Sequence, residues 1–280
     1  MLQFAQYLFS GRSKWREVEV EQFVDPEDGH TFSARWATPF PTDQQRHLIV
    51  VVPGMLTNHT SKYMSHFVSQ LSQKAPTVIC NMPLVADAAT GNSIPNFADD
   101  RYLRYFLEMI GLRHPQCRIT LVGMSLGGTL AIKCHDLAQR VIAVCSPIRG
   151  ADSWDSIRGF YYTIMRGAFL AGPMTRLLVR QPTKWTSSIL TMLKAKDAKE
   201  LTKVIEDQTS YVIHQMSIEQ NMLRLPPNKV IMVHSQDDQI VPFVPSGSPL
   251  FTYVKRVVMP TGGHLFFSLE QVKEVCRIVE

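Results

Sequence analysis

The stretch Arg118-Ile-Thr-Leu-Val-Gly-Met-Ser-Leu-Gly-Gly-Thr-Leu-Ala-Ile132 sets a single serine where a strand turns into a helix. Ser125 is the centre of Gly123-Met124-Ser125-Leu126-Gly127, a G-x-S-x-G pattern that leaves a nucleophilic hydroxyl at a sharp corner of the chain. The flanks agree with that geometry. Ile119, Leu121 and Val122 make a short apolar run, and after the serine Leu126, Leu130 and Ala131 fall at helical spacing. Side chains two positions before and after the corner would collide with the tightened backbone, so Gly123 and Gly127 belong there.

A serine hydroxyl is a poor nucleophile at neutral pH and needs a base, itself held in the right tautomer by an acid. In a sheet that carries this elbow the partners follow in the order serine, acid, histidine. Asp238 lies in His234-Ser-Gln-Asp-Asp-Gln-Ile-Val-Pro242, and His264 lies in Thr261-Gly-Gly-His-Leu265, each after a run that reads as a strand. Asp237 competes with Asp238 for the acid's place. The other histidines have no metal-ligand spacing and His-Glu-x-x-His is absent, so neither a metal nor a cofactor is expected.

These residues need elements to hold them. Val18-Glu-Val20 and Thr31 to Trp36 alternate around Asp25-Pro-Glu-Asp-Gly29, which predicts an antiparallel hairpin at the sheet's edge. His47 to Val52 is a continuous apolar run, as expected of a parallel strand covered on both faces. Ser61 is placed to cap a helix with Tyr63, Met64, Phe67, Val68 and Leu71 on one stripe. Further strands are predicted at Val78 to Cys80, Val141 to Val144, Val230 to Val233 and Val254 to Met259. A helix burying Phe97, Leu103, Phe106, Leu107 and Ile110 follows the second strand of that type, and Ser268 with Gln271 fits a capping box for a closing helix. Strands alternating with helices predict a mostly parallel, doubly wound sheet.

Residues 147–227 break the alternation. They carry only helical patterning, as in Ile157 to Leu178 and Ala195 to Met222. An insertion between two parallel strands lies over their carboxyl ends, where such sheets bind ligands, so it is read as a helical cap within a single domain spanning 1–280.

With elbow, Asp-x-Ile-Val-Pro and Gly-Gly-His in this order, the chain resembles the α/β-hydrolase superfamily over nearly its whole length. Gly54-Met55, Gly-Met-Ser-Leu-Gly-Gly, the Asp-Asp pair and Gly-Gly-His-Leu-Phe most resemble its YheT and ABHD1-like esterase branch, although Pro53 stands where many members have His and Gln239 where that branch often has Pro. The resemblance implies Ser125 as nucleophile, His264 as general base and then acid, and Asp238 as the carboxylate that orients it. Asp238 stands at the family's distance from the Val241-Pro242 bend, which leaves Asp237 to cap the loop or face water. It also implies an oxyanion hole from the backbone N–H groups of Met55 and Leu126.

The implied activity is cleavage of carboxylic or thio esters of apolar acyl substrates through an acyl-enzyme. An acyltransferase with the same triad, or a binding protein without turnover, shares these residues. Arg158 to Leu170 mixes aromatic and aliphatic residues with arginines, so Phe160 and Met165, with Leu265 beside the histidine, are expected to touch the acyl group.

The chain has 280 residues and a net charge of +5, which suits one large α/β domain. From Arg149 to Ile205 ten basic residues stand against four acidic ones, which allows peripheral contact between the cap and an anionic membrane. The partner implied is a small-molecule ester or lipid, with no nucleic acid. Oligomeric state is not encoded in any motif. The five cysteines lack metal-type spacing and read as free thiols in a reducing compartment. The N-terminus has no basic n-region or cleavage site, and no apolar run is long enough to span a bilayer, so a cytoplasmic protein is expected.

Overall fold

The structure, a computed structural model, describes residues 18–24, 31–39, 47–54, 62–82, 99–159, 162–163, 166–167, 170, 189–208, 216–244, 247–264 and 269–279. Its centre is an eight-stranded sheet in the order β1-β2-β4-β3-β5-β6-β7-β8. The strands are β1 (Glu19–Val24), β2 (Thr31–Trp36), β3 (His47–Val52), β4 (Thr77–Asn81), β5 (Arg118–Met124), β6 (Arg140–Val144), β7 (Val230–Ser235) and β8 (Lys255–Met259). β1 and β2 are the predicted hairpin, in register Glu19↔Trp36, and β2 joins the sheet antiparallel to β4. All pairings from β4 to β8 are parallel. Parallel pairing brings the carboxyl ends of β3, β5, β6, β7 and β8 to one edge, where the connecting loops carry the site.

Alternation along each buried strand sorts the core into two halves. Leu48, Val50, Val52, Leu121, Val141, Ala143, Val230 and Met232 face one side. Ile49, Val51, Val122, Met124, Ile142, Val144, Ile231 and Val233 face the other. The second face is covered by helix α1 (Lys62–Leu71) and the helix that closes the fold (Leu269–Ile278), through Met64, Phe67, Val68 and Leu71 and through Val272, Val275 and Cys276. α2 (Arg101–Arg113) and α3 (Leu126–Lys133) cover the first. Of the predicted inward residues of α2, Leu103, Phe106, Leu107 and Ile110 are buried. Ser61, Phe97 and Ser268 lie outside the described residues.

Between β6 and β7 the described residues hold α4 (Gly150–Ser156), α5 (Ile189–Lys194), α6 (Ala198–Gln208) and α7 (Glu219–Met222). Sequence patterning marked Ile157 to Leu178 and Ala195 to Met222 as helical, and much of the first stretch and residues 209–215 of the second lie outside the described residues. In the structure α4 precedes the first of these stretches, and a break separates α5 from α6 near the start of the second. The break has a local cause: Asp197 Oδ1 accepts the Glu200 N–H at 2.8 Å, while Glu200 Oε2 accepts the Lys196 N–H at 2.8 Å, a reciprocal cap that starts α6 afresh. A separate apolar cluster joins these helices to the elbow, with Trp154, Tyr162, Met192, Leu201 and Met216 gathered on Leu126. The five cysteines are free thiols, and among the described residues no helix is long and apolar enough to cross a membrane.

Candidate active site

Ser125 stands between β5 and α3 with φ 50° and ψ −123°, a conformation that costs on the order of 1–3 kcal/mol and persists only where surroundings enforce it. Its N–H donates to Val144 O at 2.8 Å, which ties the corner to the neighbouring strand. The glycines are needed for close approach. A Cβ on Gly123 would lie 2.3 Å from Gly127 O, and one on Gly127 would lie 2.2 Å from Val52 O. Gly128 closes the Gly-Met-Ser-Leu-Gly-Gly run, and a Cβ there would stand 1.7 Å from Ser146 Oγ. Its requirement comes from the end of β6, which no local pattern around the elbow reveals.

Three side chains from three loops meet at this corner. Ser125 Oγ and His264 Nε2 are 2.9 Å apart, and His264 Nδ1 is 2.9 Å from Asp238 Oδ2 and 3.1 Å from Oδ1. The carboxylate only accepts, so Nδ1 carries the proton, Nε2 holds the lone pair, and the serine hydroxyl donates to it. The Asp238 side chain is 0% exposed and that of His264 7%. Asp238 Oδ1 also accepts the N–H groups of Ile240 and Val241, each at 2.9 Å. Burial pushes the Asp238 carboxyl upward, but the charge and hydrogen bond of His264 and these two N–H groups outweigh it and hold it below its ordinary value.

Asp237 neither joins the triad nor stands idle. Its Oδ1 accepts from Ser235 Oγ and from the Gly263 N–H at 2.8 Å, so it fastens the acid's loop to the histidine's loop. His234 adds a second brace. Its Nε2 lies 3.1 Å from Val241 O and 3.6 Å from Asp238 Oδ2. Burial lowers the tendency of His234 to protonate, against the pull of Asp238, and a neutral ring with the proton on Nε2 donates to the Val241 carbonyl.

Leu126 is the first residue of α3, where a backbone N–H has no intrahelical acceptor and points toward anionic charge. Met55, Phe160, Met165 and Leu265 lie outside the described residues. Cys145, Asp238 and His264 place potential ligand atoms within 4.8 Å of one another. Burial, reinforced by the Asp238 charge, pushes the Cys145 thiol well up and keeps it protonated, and a metal would have to displace the His264–Asp238 hydrogen bond, so the trio does not suit one.

No protein-family model matches the sequence, and no curated protein sequence matches it. Solved structures do. The chain is similar to an esterase from Pyrococcus furiosus at 13% identity, with a TM-score of 0.59 over 93% of this chain and 92% of that one. A hydrolase from Pseudomonas aeruginosa aligns at 14% identity and TM-score 0.59 over 94% and 98%. An alpha/beta hydrolase domain-containing protein from mouse aligns at 14% identity and TM-score 0.52 over 94% and 97%. With its mixed sheet and flanking helices, the chain has the α/β-hydrolase fold.

Proposed function

We propose that the chain is a serine hydrolase that cleaves carboxylic or thio esters of apolar acyl groups. The observation that carries this is the unbroken series Ser125 Oγ, His264 Nε2, His264 Nδ1, Asp238 Oδ2, with 2.9 Å at both contacts and the carboxylate sealed from water. A strained corner held by close glycine packing keeps the hydroxyl in that series. Within the fold we place the chain with the YheT and ABHD1-like esterases, on Gly54-Met55, the Asp237-Asp238 pair and Gly262-Gly263-His264.

Catalysis follows from the tautomer. His264 Nε2 takes the Ser125 proton as Oγ bonds to the substrate carbonyl carbon, and the carbonyl oxygen becomes an oxyanion received by the N–H groups of Leu126 and Met55. The imidazolium, steadied by Asp238, returns its proton to the departing alcohol or thiol as the carbon–heteroatom bond breaks. An acyl-serine remains. Water, deprotonated by the same nitrogen, then releases the carboxylic acid and restores the serine. Residues 147–227 act as the cap over this site, with Phe160, Met165 and Leu265 on the acyl group.

The cap also offers a lipid-facing surface. Leu190 is 70% exposed and Leu193 47%, beside the exposed Lys194, Lys196 and Lys199, a pairing of apolar and cationic groups that suits the interface of an anionic bilayer. Flotation with anionic and neutral liposomes tests it. Binding to anionic vesicles that is lost in Leu190→Ser/Leu193→Ser is expected; equal recovery with neither vesicle removes membrane contact from the proposal. The activity itself is tested with p-nitrophenyl esters of rising chain length. Turnover in the wild type, absent from Ser125→Ala, is expected, and equal rates in both proteins would refute the assignment.

A further inference from the structure

The end of β6 reaches both partners of the proton transfer. Val144 O accepts the Ser125 N–H at 2.8 Å, and the next residue, Cys145, places its Sγ 3.8 Å from Gly263 O in the histidine's loop. That is within reach of a thiol, a weak donor. Among the described residues no other donor is bonded to that carbonyl. The Gly263 N–H donates to Asp237 Oδ1 at 2.8 Å, so the residue before His264 is held at both of its backbone polar groups. The loop needs this, because Gly262 and Gly263 stand at φ 149° and 58°, a path that glycine follows readily but does not enforce.

Cys145 is fully buried and sits at φ 46°, in the left-handed region where a residue with a side chain persists only if its surroundings impose it. Its own N–H donates to Val233 O at 2.8 Å, which fixes the turn against β7. The turn brings Sγ within 4.8 Å of an Asp238 carboxylate oxygen and a His264 ring nitrogen. Burial first, and then the Asp238 charge, pushes the thiol well up, so the sulfur keeps its proton and adds no charge beside the carboxylate. We propose that Cys145 is a positioning residue for His264: its thiol holds the Gly263 carbonyl, so that one strand end ties down both the elbow and the histidine's loop. The 2.9 Å between Ser125 Oγ and His264 Nε2 then depends on Val144 and Cys145 together. A misplacement of about 1 Å there costs on the order of 10²-fold in rate. The effect on rate rests on the serine-hydrolase reading, whereas the contact with Gly263 does not.

Full-length Cys145→Ala and Cys145→Ser are compared with the wild type on one p-nitrophenyl ester. Alanine removes the donor, and kcat is expected to fall about tenfold with KM within about twofold of the wild type. Serine keeps a donor on a shorter arm and recovers part of that loss, at a kcat between the other two. A side chain that only filled space would leave the two variants alike, since both remove the bulk of the sulfur. His264 is also read without turnover, in full-length Ser125→Ala protein, through the downfield proton resonance of its Nδ1–H, assigned by its loss in His264→Gln. Adding Cys145→Ala is expected to broaden that resonance and move it upfield as the bond to Asp238 loosens, and adding Cys145→Ser to do so less. Should Cys145→Ala fail to fold by circular dichroism, Cys145→Ser decides alone, with a kcat below that of the wild type and the smaller shift. Unchanged kcat, a loss confined to KM, equal rates in the two variants, or a resonance that is unmoved or already missing from Ser125→Ala overturns the proposal. A wild type without turnover, whose Nδ1–H resonance still responds to Cys145→Ala, removes the hydrolase reading and leaves the positioning role standing.

Discussion

Asp237 and Asp238 are neighbours in the chain with different tasks, and the difference lies in what each oxygen meets. Asp238 turns inward to His264 and is capped by the N–H groups of Ile240 and Val241. Asp237 turns to Ser235 and Gly263. Asp238→Asn is therefore expected to lower kcat by about 10⁴ with little change in KM, because the imidazole loses the carboxylate that fixes its tautomer. Asp237→Ala frees the His264 loop without touching the proton relay, and kcat should fall roughly ten- to a hundredfold. Steady-state rates on one ester rank the two, and the reverse order would move the acid's role to Asp237. In the sequence Asp238 was preferred through the resemblance, because its distance to Val241-Pro242 matches the family's pattern. The grip of Asp237 on Gly263 spans 26 residues and leaves no mark in local pattern, which is why capping or exposure was all that could be expected of it.

At the scale of elements, the strands were readable because a parallel sheet buried on both faces demands near-continuous apolar runs. β3 spans His47–Val52, the same residues as its run, and β6 and β7 extend theirs by one or two residues. The elbow was readable from its G-x-S-x-G pattern, in which Gly123 has a local steric reason, the approach of Gly127 O, while Gly127 is also confined by Val52 O at the end of β3. Gly128 has a distant reason. Gly128→Ala should destabilise the fold by about 1–3 kcal/mol through overpacking, and Ser146→Gly, which removes the crowding atoms, should recover part of that loss. Urea unfolding of the single and double variants measures it, and a double variant no more stable than Gly128→Ala would place the crowding elsewhere. The start of α6 is encoded in Asp197 and Glu200, close to Ala195, where the helical patterning begins. Asp197→Ala should cost about 1 kcal/mol of stability, read from the same unfolding midpoints.

For the whole molecule, pH links packing to function. His47, half-buried and 2.9 Å from Thr120 Oγ1, is held below its ordinary value of 6.5 by burial and by the charges of Arg118 and Arg140; His234 is held below it by burial first. Lowered values mean the unfolded chain takes up these protons before the folded one. The contribution to stability is thus full above about pH 6.5 and is lost as pH falls below it, whereas the carboxyl of Asp238 contributes until far lower pH. Melting temperature should decline between about pH 6.5 and pH 5, and His47→Gln should flatten the decline; an unchanged slope would assign it to other groups. The account as a whole rests on Ser125 being an activated nucleophile at the edge where the three loops meet. The most direct measurement is intact-mass analysis after a fluorophosphonate probe. The prediction is a single adduct on the peptide that carries Ser125, none on Ser125→Ala and much slower labelling of Asp238→Asn; adducts of equal yield on wild type and Ser125→Ala, or none on the wild type, would contradict it.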